Sequence, residues 1–97
     1  MTVIPFPSRV PEPARTLEDL VARTRSPHLS CDVTVTKDTR TRRYTLLSDA
    51  PDSFIGEVWF GRCQHRQKRV AGVHDARLLA FQFVRELRDL ITDGWTT

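Results

Sequence analysis

Two short stretches of this chain, Lys37 to Arg43 and Arg62 to Arg69, concentrate side chains that bind anions. They hold Lys37, Arg40, Arg42, Arg43, Arg62, Arg66, Lys68 and Arg69, eight of the 15 basic residues, against one acid, Asp38. Only Lys37 and Lys68 are lysines. Part of the arginine excess is compositional. Its physical consequence holds regardless, because arginine presents a planar fork of donors that matches a phosphate or a carboxylate. The chemistry to expect is therefore recognition of an anion, and the elements around the two stretches decide whether they act together.

The chain has 97 residues, 39% hydrophobic, with a net charge of +3, enough for one domain with one modest core. Residues 1–14 carry four of the six prolines and read as an extended arm, with 15–97 forming the folded domain. Thr16 is an expected N-cap, with Asp19 three residues on, for a short helix from Leu17 to Arg25 that Pro27 ends. Leu29, Cys31, Val33 and Val35 alternate with Ser30, Asp32, Thr34 and Thr36, a strand signal. A polar turn at Asp38-Thr39, a strand over Arg43–Ser48, a turn over Asp49–Ser53 and a strand over Phe54–Phe60 follow. In the last strand Phe54, Val58 and Phe60 share one face, and Ile55, Glu57 and Trp59 the other. Gly61–Gly72 reads as a basic loop. Ala76, Leu79, Ala80, Phe83, Val84, Leu87, Leu90 and Ile91 define an apolar face at 3.6-residue spacing, a long helix over Val73–Thr92. Gly94 suits its left-handed cap, with Trp95 packing back toward Leu90.

The expected fold is α+β, a two-layer single domain in the order α-β-β-β-α. A three-stranded antiparallel meander is packed by the long C-terminal helix. In a meander the first and third strands run the same way. The hairpin loop holding Lys37, Arg40, Arg42 and Arg43 and the exit loop holding Arg62, Arg66, Lys68 and Arg69 would then share one end. The second helix would begin there and add the positive end of its dipole. The opposite end would carry Asp49 and Asp52. Cations spread over two loops can follow a line of phosphates, so nucleic acid, DNA or RNA, is the expected partner.

This element order resembles that of the double-stranded-RNA-binding domain over about residues 15–93, at the level of architecture. The resemblance implies that Arg40, Arg42 and Arg43 stand where that family inserts a loop into a minor groove. Lys68 and Arg69 would stand for its helix-start cations. The family's Gly-Pro-x-His loop motif is missing, and Val73-His74-Asp75 occupies the helix start in place of a lysine cluster.

Other side chains suggest other chemistries. Trp59, with Ile55 and Leu47, falls on the sheet face opposite the long helix, where an exposed aromatic would stack bases and a buried one would be covered by the arm or the first helix. Leu78 and Phe81 lie off the core face of the last helix, beside His74, as a candidate contact for a protein partner or a homodimer. A second class of function is thus a phage- or plasmid-type inhibitor or adaptor whose basic edge docks on an acidic protein surface. His28-x-x-Cys31 and Cys63-x-His65 offer zinc-ligand types. The meander separates Cys31 from Cys63 by roughly 20 Å at ~3.3 Å per residue, so neither a zinc site nor a disulfide is expected. Cys63 and His65, beside Arg62 and Arg66, have the types of a nucleophile–base pair, but nothing in sequence orients them. No catalytic residue, cofactor or metal is expected. A chain without a charged leader or a ~20-residue apolar run is expected to be cytoplasmic and not membrane-bound.

Overall fold

A computed structural model describes residues 12–97. The proline-rich arm lies, over residues 1–11, outside the described residues. The elements are α1 (Leu17–Arg23), β1 (Cys31–Lys37), β2 (Arg40–Ala50), β3 (Ser53–Phe60), β4 (Cys63–Ala71) and α2 (Gly72–Thr92). The four strands form one antiparallel sheet in chain order, β1-β2-β3-β4. The α+β two-layer architecture is the expected one, with a fourth strand where the sequence reads as a basic loop.

That strand is hard to read for a physical reason. β4 (CQHRQKRVA) is the sheet's edge and is exposed on both faces, so the alternation of apolar and polar residues is absent. It is held by its backbone ladder to β3, from Ser53↔Ala71 to Phe60↔Cys63. β2 also begins earlier than its apolar residues suggest, so Arg40 and Arg42 lie in the strand and not in the hairpin loop. The turns consist of Asp38-Thr39, Pro51-Asp52 and Gly61-Arg62.

One sheet face is buried. It carries Cys31, Val33 and Val35 from β1, Tyr44 and Leu46 from β2, and Phe54 and Val58 from β3. Ala76, Leu79, Ala80, Phe83, Val84 and Leu87 of α2 close over it, as the 3.6-residue spacing predicts, while Ile91 is 38% exposed. Tyr44 meets Phe83 edge-on at 5.2 Å. Gly56 lets α2 approach, because a Cβ there would stand 2.6 Å from Leu79 Cδ2. α1 is capped by Thr16, whose hydroxyl accepts from the Asp19 amide at 3.1 Å. It packs against α2, contributing Leu20 to the core.

The two sheet edges differ. β1 is flanked by the segment through Ala14, whose amide donates to Ser30 O at 3.0 Å, and by a two-bond bridge between Thr36 and Thr96. β4 has no strand on its outer side among the described residues. No helix among the described residues is long and apolar enough to cross a membrane.

Candidate functional site

In a four-stranded meander the Asp38-Thr39 and Gly61-Arg62 turns fall at the same end of the sheet. The Gly61 amide donates to Thr41 O at 2.9 Å, tying the second turn to β2. The convergence of the two basic stretches is therefore partial. Lys37, Arg40, Arg42 and Arg62 gather at this rim. β4 carries Arg66, Lys68 and Arg69 progressively away from it, until Arg69 pairs with Asp49 at the opposite end.

The helix end is also reversed from expectation. The extra strand returns the chain to the far end before α2 begins, where the Gly72 amide donates to Asp52 O at 2.7 Å. The basic rim receives the C-terminus of α2. Lys37 Nζ donates to Asp93 O at 2.6 Å and lies 3.5 Å from Asp93 Oδ2, a cation on the negative end of the helix. Lys68 and Arg69 do precede the start of α2, but they lie with it at the end away from Arg40 and Arg42, and Arg69 is paired with Asp49.

The alternation of β2 sorts its three arginines between faces. Arg43 lies on the face away from α2 and makes two hydrogen bonds of 2.8 Å to Asp32. These bonds, with the more distant Arg15, hold the Asp32 carboxyl below its usual range. Arg40 and Arg42 lie on the helix face and meet aromatic rings instead. The Arg42 guanidinium carbon is 4.2 Å from the Phe60 centroid and 5.0 Å from that of Trp95; Arg40 is 5.3 Å from Trp95. His65 stacks on Phe60, with centroids 4.1 Å apart and planes 12° from parallel.

Trp95 is fixed by the closure of α2. Gly94 takes φ +102°, the Trp95 amide donates to Leu90 O at 3.0 Å and the Gly94 amide to Ile91 O at 3.1 Å. The indole is 3% exposed and serves as a floor for both arginines. His65 owes its position to a bulge. Val58 pairs with Arg66 but Trp59 pairs with Gln64, so His65 is the extra residue on β4. The bulge turns both His65 and Arg66 onto the helix face.

Partners divide the eight cations. Arg66 pairs with Glu86, which also accepts from Tyr44 Oη at 3.1 Å. Burial and the Glu86 charge push the Tyr44 hydroxyl up to about 12. Arg69 is taken by Asp49, Arg43 by Asp32 and Lys37 by Asp93. Among the described residues, Arg40, Arg42, Arg62 and Lys68 have no carboxylate in ion-pair range. Lys68 lines a groove of about 350 Å³ between β4 and α2 with Gly56, Arg66, Leu79, Gln82 and Phe83.

Phe60, His65 and Trp95 are the members that sequence reasoning missed. Phe60 read as core, His65 as a ligand type and Trp95 as a helix-cap contact. The available signal was Arg40-x-Arg42, a spacing that puts two guanidiniums on one strand face; finding their rings needed the register.

Cys31 is buried at the start of β1 and Cys63 is exposed at the start of β4, so the two stand at opposite ends. Burial pushes the Cys31 thiol up to about 12. Among the described residues no three His, Cys, Asp or Glu side chains are grouped to hold a metal ion. Trp59 lies on the sheet face away from α2, opposite Arg43 on β2, with its Nε1 donating to Glu57 Oε1 at 3.1 Å. Both helices pack on the other side. Leu78 and Phe81 stand on the outer surface of α2, 53% and 50% exposed. Compared with models of known protein families, with curated proteins and with solved structures, the chain matches none.

Proposed function

We propose that this protein binds nucleic acid through phosphate contacts from the rim of Arg40, Arg42 and Arg62, extended along β4 by Lys68. The observation that carries the reading is the state of Arg40 and Arg42. Their guanidiniums are oriented by Trp95 and Phe60 but neutralised by no carboxylate among the described residues. Stacking on an aromatic ring leaves the N–H edge of a guanidinium directed outward, ready for a bidentate contact with phosphate oxygens. Arg43, Arg66 and Arg69, which the sequence assigns to the same task, are already occupied and have the smaller part. Such contacts position the ligand on the surface without reading its bases.

The test is oligonucleotide binding by fluorescence anisotropy across a salt series. Replacing Arg40, Arg42 and Arg62 by alanine should weaken binding and flatten the plot of log affinity against log salt by about two to three, at ~0.7–0.9 per phosphate contact. Undetectable binding of DNA and RNA at low salt, or a triple variant indistinguishable from the parent, overturns the reading.

A second reading keeps the same rim but gives it an acidic protein partner. The half-exposed Leu78 and Phe81 favour it, since two large apolar residues together on one helix surface suit a partner contact. It requires Phe81→Asp to abolish association with that partner while the fold is retained.

A further inference from the structure

The side chains at the basic rim form a continuous stack across three strands. Arg42 on β2 and His65 on β4 flank Phe60 on β3 from either side, and Trp95 lies behind Arg42. Resting on the nucleic-acid reading above, we infer that the ligand is single-stranded and that one unpaired base stacks on the outer face of His65, continuing the series Trp95–Arg42–Phe60–His65.

Three observations point this way. His65 is the last ring of the stack, sits on the edge strand and is exposed, so a planar face is presented to solvent. The imidazole is held parallel to Phe60 by a β-bulge that places an otherwise unneeded residue on this face. A rigid ring needs no ordering when a base lands on it. Finally, Arg62 in the adjoining turn and Lys68 on β4 stand three residues before and after His65, Lys68 roughly 10 Å along the strand at ~3.3 Å per residue. Neither has a carboxylate partner among the described residues. A nucleotide strand running along the β4 edge would thus meet a cation, a stacking ring and a second cation in turn. A duplex keeps its base faces against one another and cannot use the ring. Base stacking on protein rings tolerates any base, because every base has a π-face.

The experiment compares three ligands of one length on the full chain, the single and abasic strands also matched in charge. These are a single strand, the same strand fully paired, and a strand with abasic residues that keeps the phosphates but lacks bases. Each is measured with the parent protein, His65→Ala and His65→Phe. The single strand should bind at least fivefold more tightly than the abasic strand and more tightly than the duplex. His65→Ala should lose about 5- to 10-fold on the single strand, the low end for base–aromatic stacking. It should lose little on the abasic strand, and His65→Phe should retain the parent's preference. Equal affinity for native and abasic strands, or an equal loss on both with His65→Ala, overturns the stacking inference while leaving phosphate binding intact. No binding to any of the three overturns both.

Discussion

The Arg42 guanidinium carbon lies 4.2 Å from the Phe60 ring centroid, and no carboxylate among the described residues competes for it. A cation over an exposed ring contributes about 0.5–1 kcal/mol to the fold. That is enough to hold the side chain in place and small beside the charge it leaves available. Arg69, bound to Asp49 at the far end, is the natural comparison. Arg42→Ala should lower the salt slope of oligonucleotide binding by about one and cost the fold little. Arg69→Ala should leave the slope unchanged. Equal effects of the two substitutions in the same anisotropy series would show that position along the sheet does not matter.

The close approach of α2 to β3 at Gly56 predicts a stability effect with no charge in it. A methyl group at this position would stand 2.6 Å from Leu79 Cδ2 and 3.3 Å from Phe83 Cζ, both on the helix that closes the core. Overpacking of this kind costs about 1–3 kcal/mol. Gly56→Ala should lower Tm by about 4–8 °C for each of those kilocalories in a domain of this size. Differential scanning calorimetry is the measurement, and an unchanged Tm would mean that the helix shifts freely.

Much of this architecture is legible in the residues, and the parts that are not share a cause. The β1 alternation, the Thr16 cap, the α2 stripe and the Gly94 closure each follow from burial or backbone need, which leave marks in composition. β4 buries almost nothing and leaves no such mark, so a strand reads as a loop. That one omission moves the start of α2 to the wrong end, and with it Lys68 and Arg69, which lie just before α2 and away from the rim. The Arg42–Phe60–His65 stack is invisible for a related reason. Its members come from three strands, and only the register and the bulge at His65 place them together.

Asp32 predicts how acid weakens the fold. Two hydrogen bonds from Arg43 hold its carboxyl below the usual range, so its folded-state pKa lies under the unfolded value of about 3.9. The pair therefore stabilises the fold fully above about pH 4, and the contribution disappears as pH falls through the lowered folded value. Arg43 is largely exposed, so solvent screening keeps the effect modest. Asp32→Asn should lower the urea midpoint at pH 7, and the gap between variant and parent should close toward pH 2. A gap that stays constant with pH would locate the effect in packing.

Glu86 gives the sharpest separation of charge from structure, because it occupies Arg66, the arginine of β4 nearest the rim. It accepts from Arg66 and from Tyr44 Oη, and the Tyr44 hydroxyl is pushed up to about 12 by burial and by that negative charge. Glu86→Gln keeps an acceptor for both donors but removes the charge. Arg66 then becomes a further unneutralised cation between His65 and Lys68. Oligonucleotide affinity at low salt should rise, and the salt slope should steepen by up to about one. The Tyr44 ionisation, followed by ultraviolet absorbance, should move down in the same variant, reporting that the pair was broken where intended. A lowered tyrosine titration with no gain in affinity would mean that the β4 face does not meet the ligand, and the rim of Arg40, Arg42 and Arg62 would have to bind it alone.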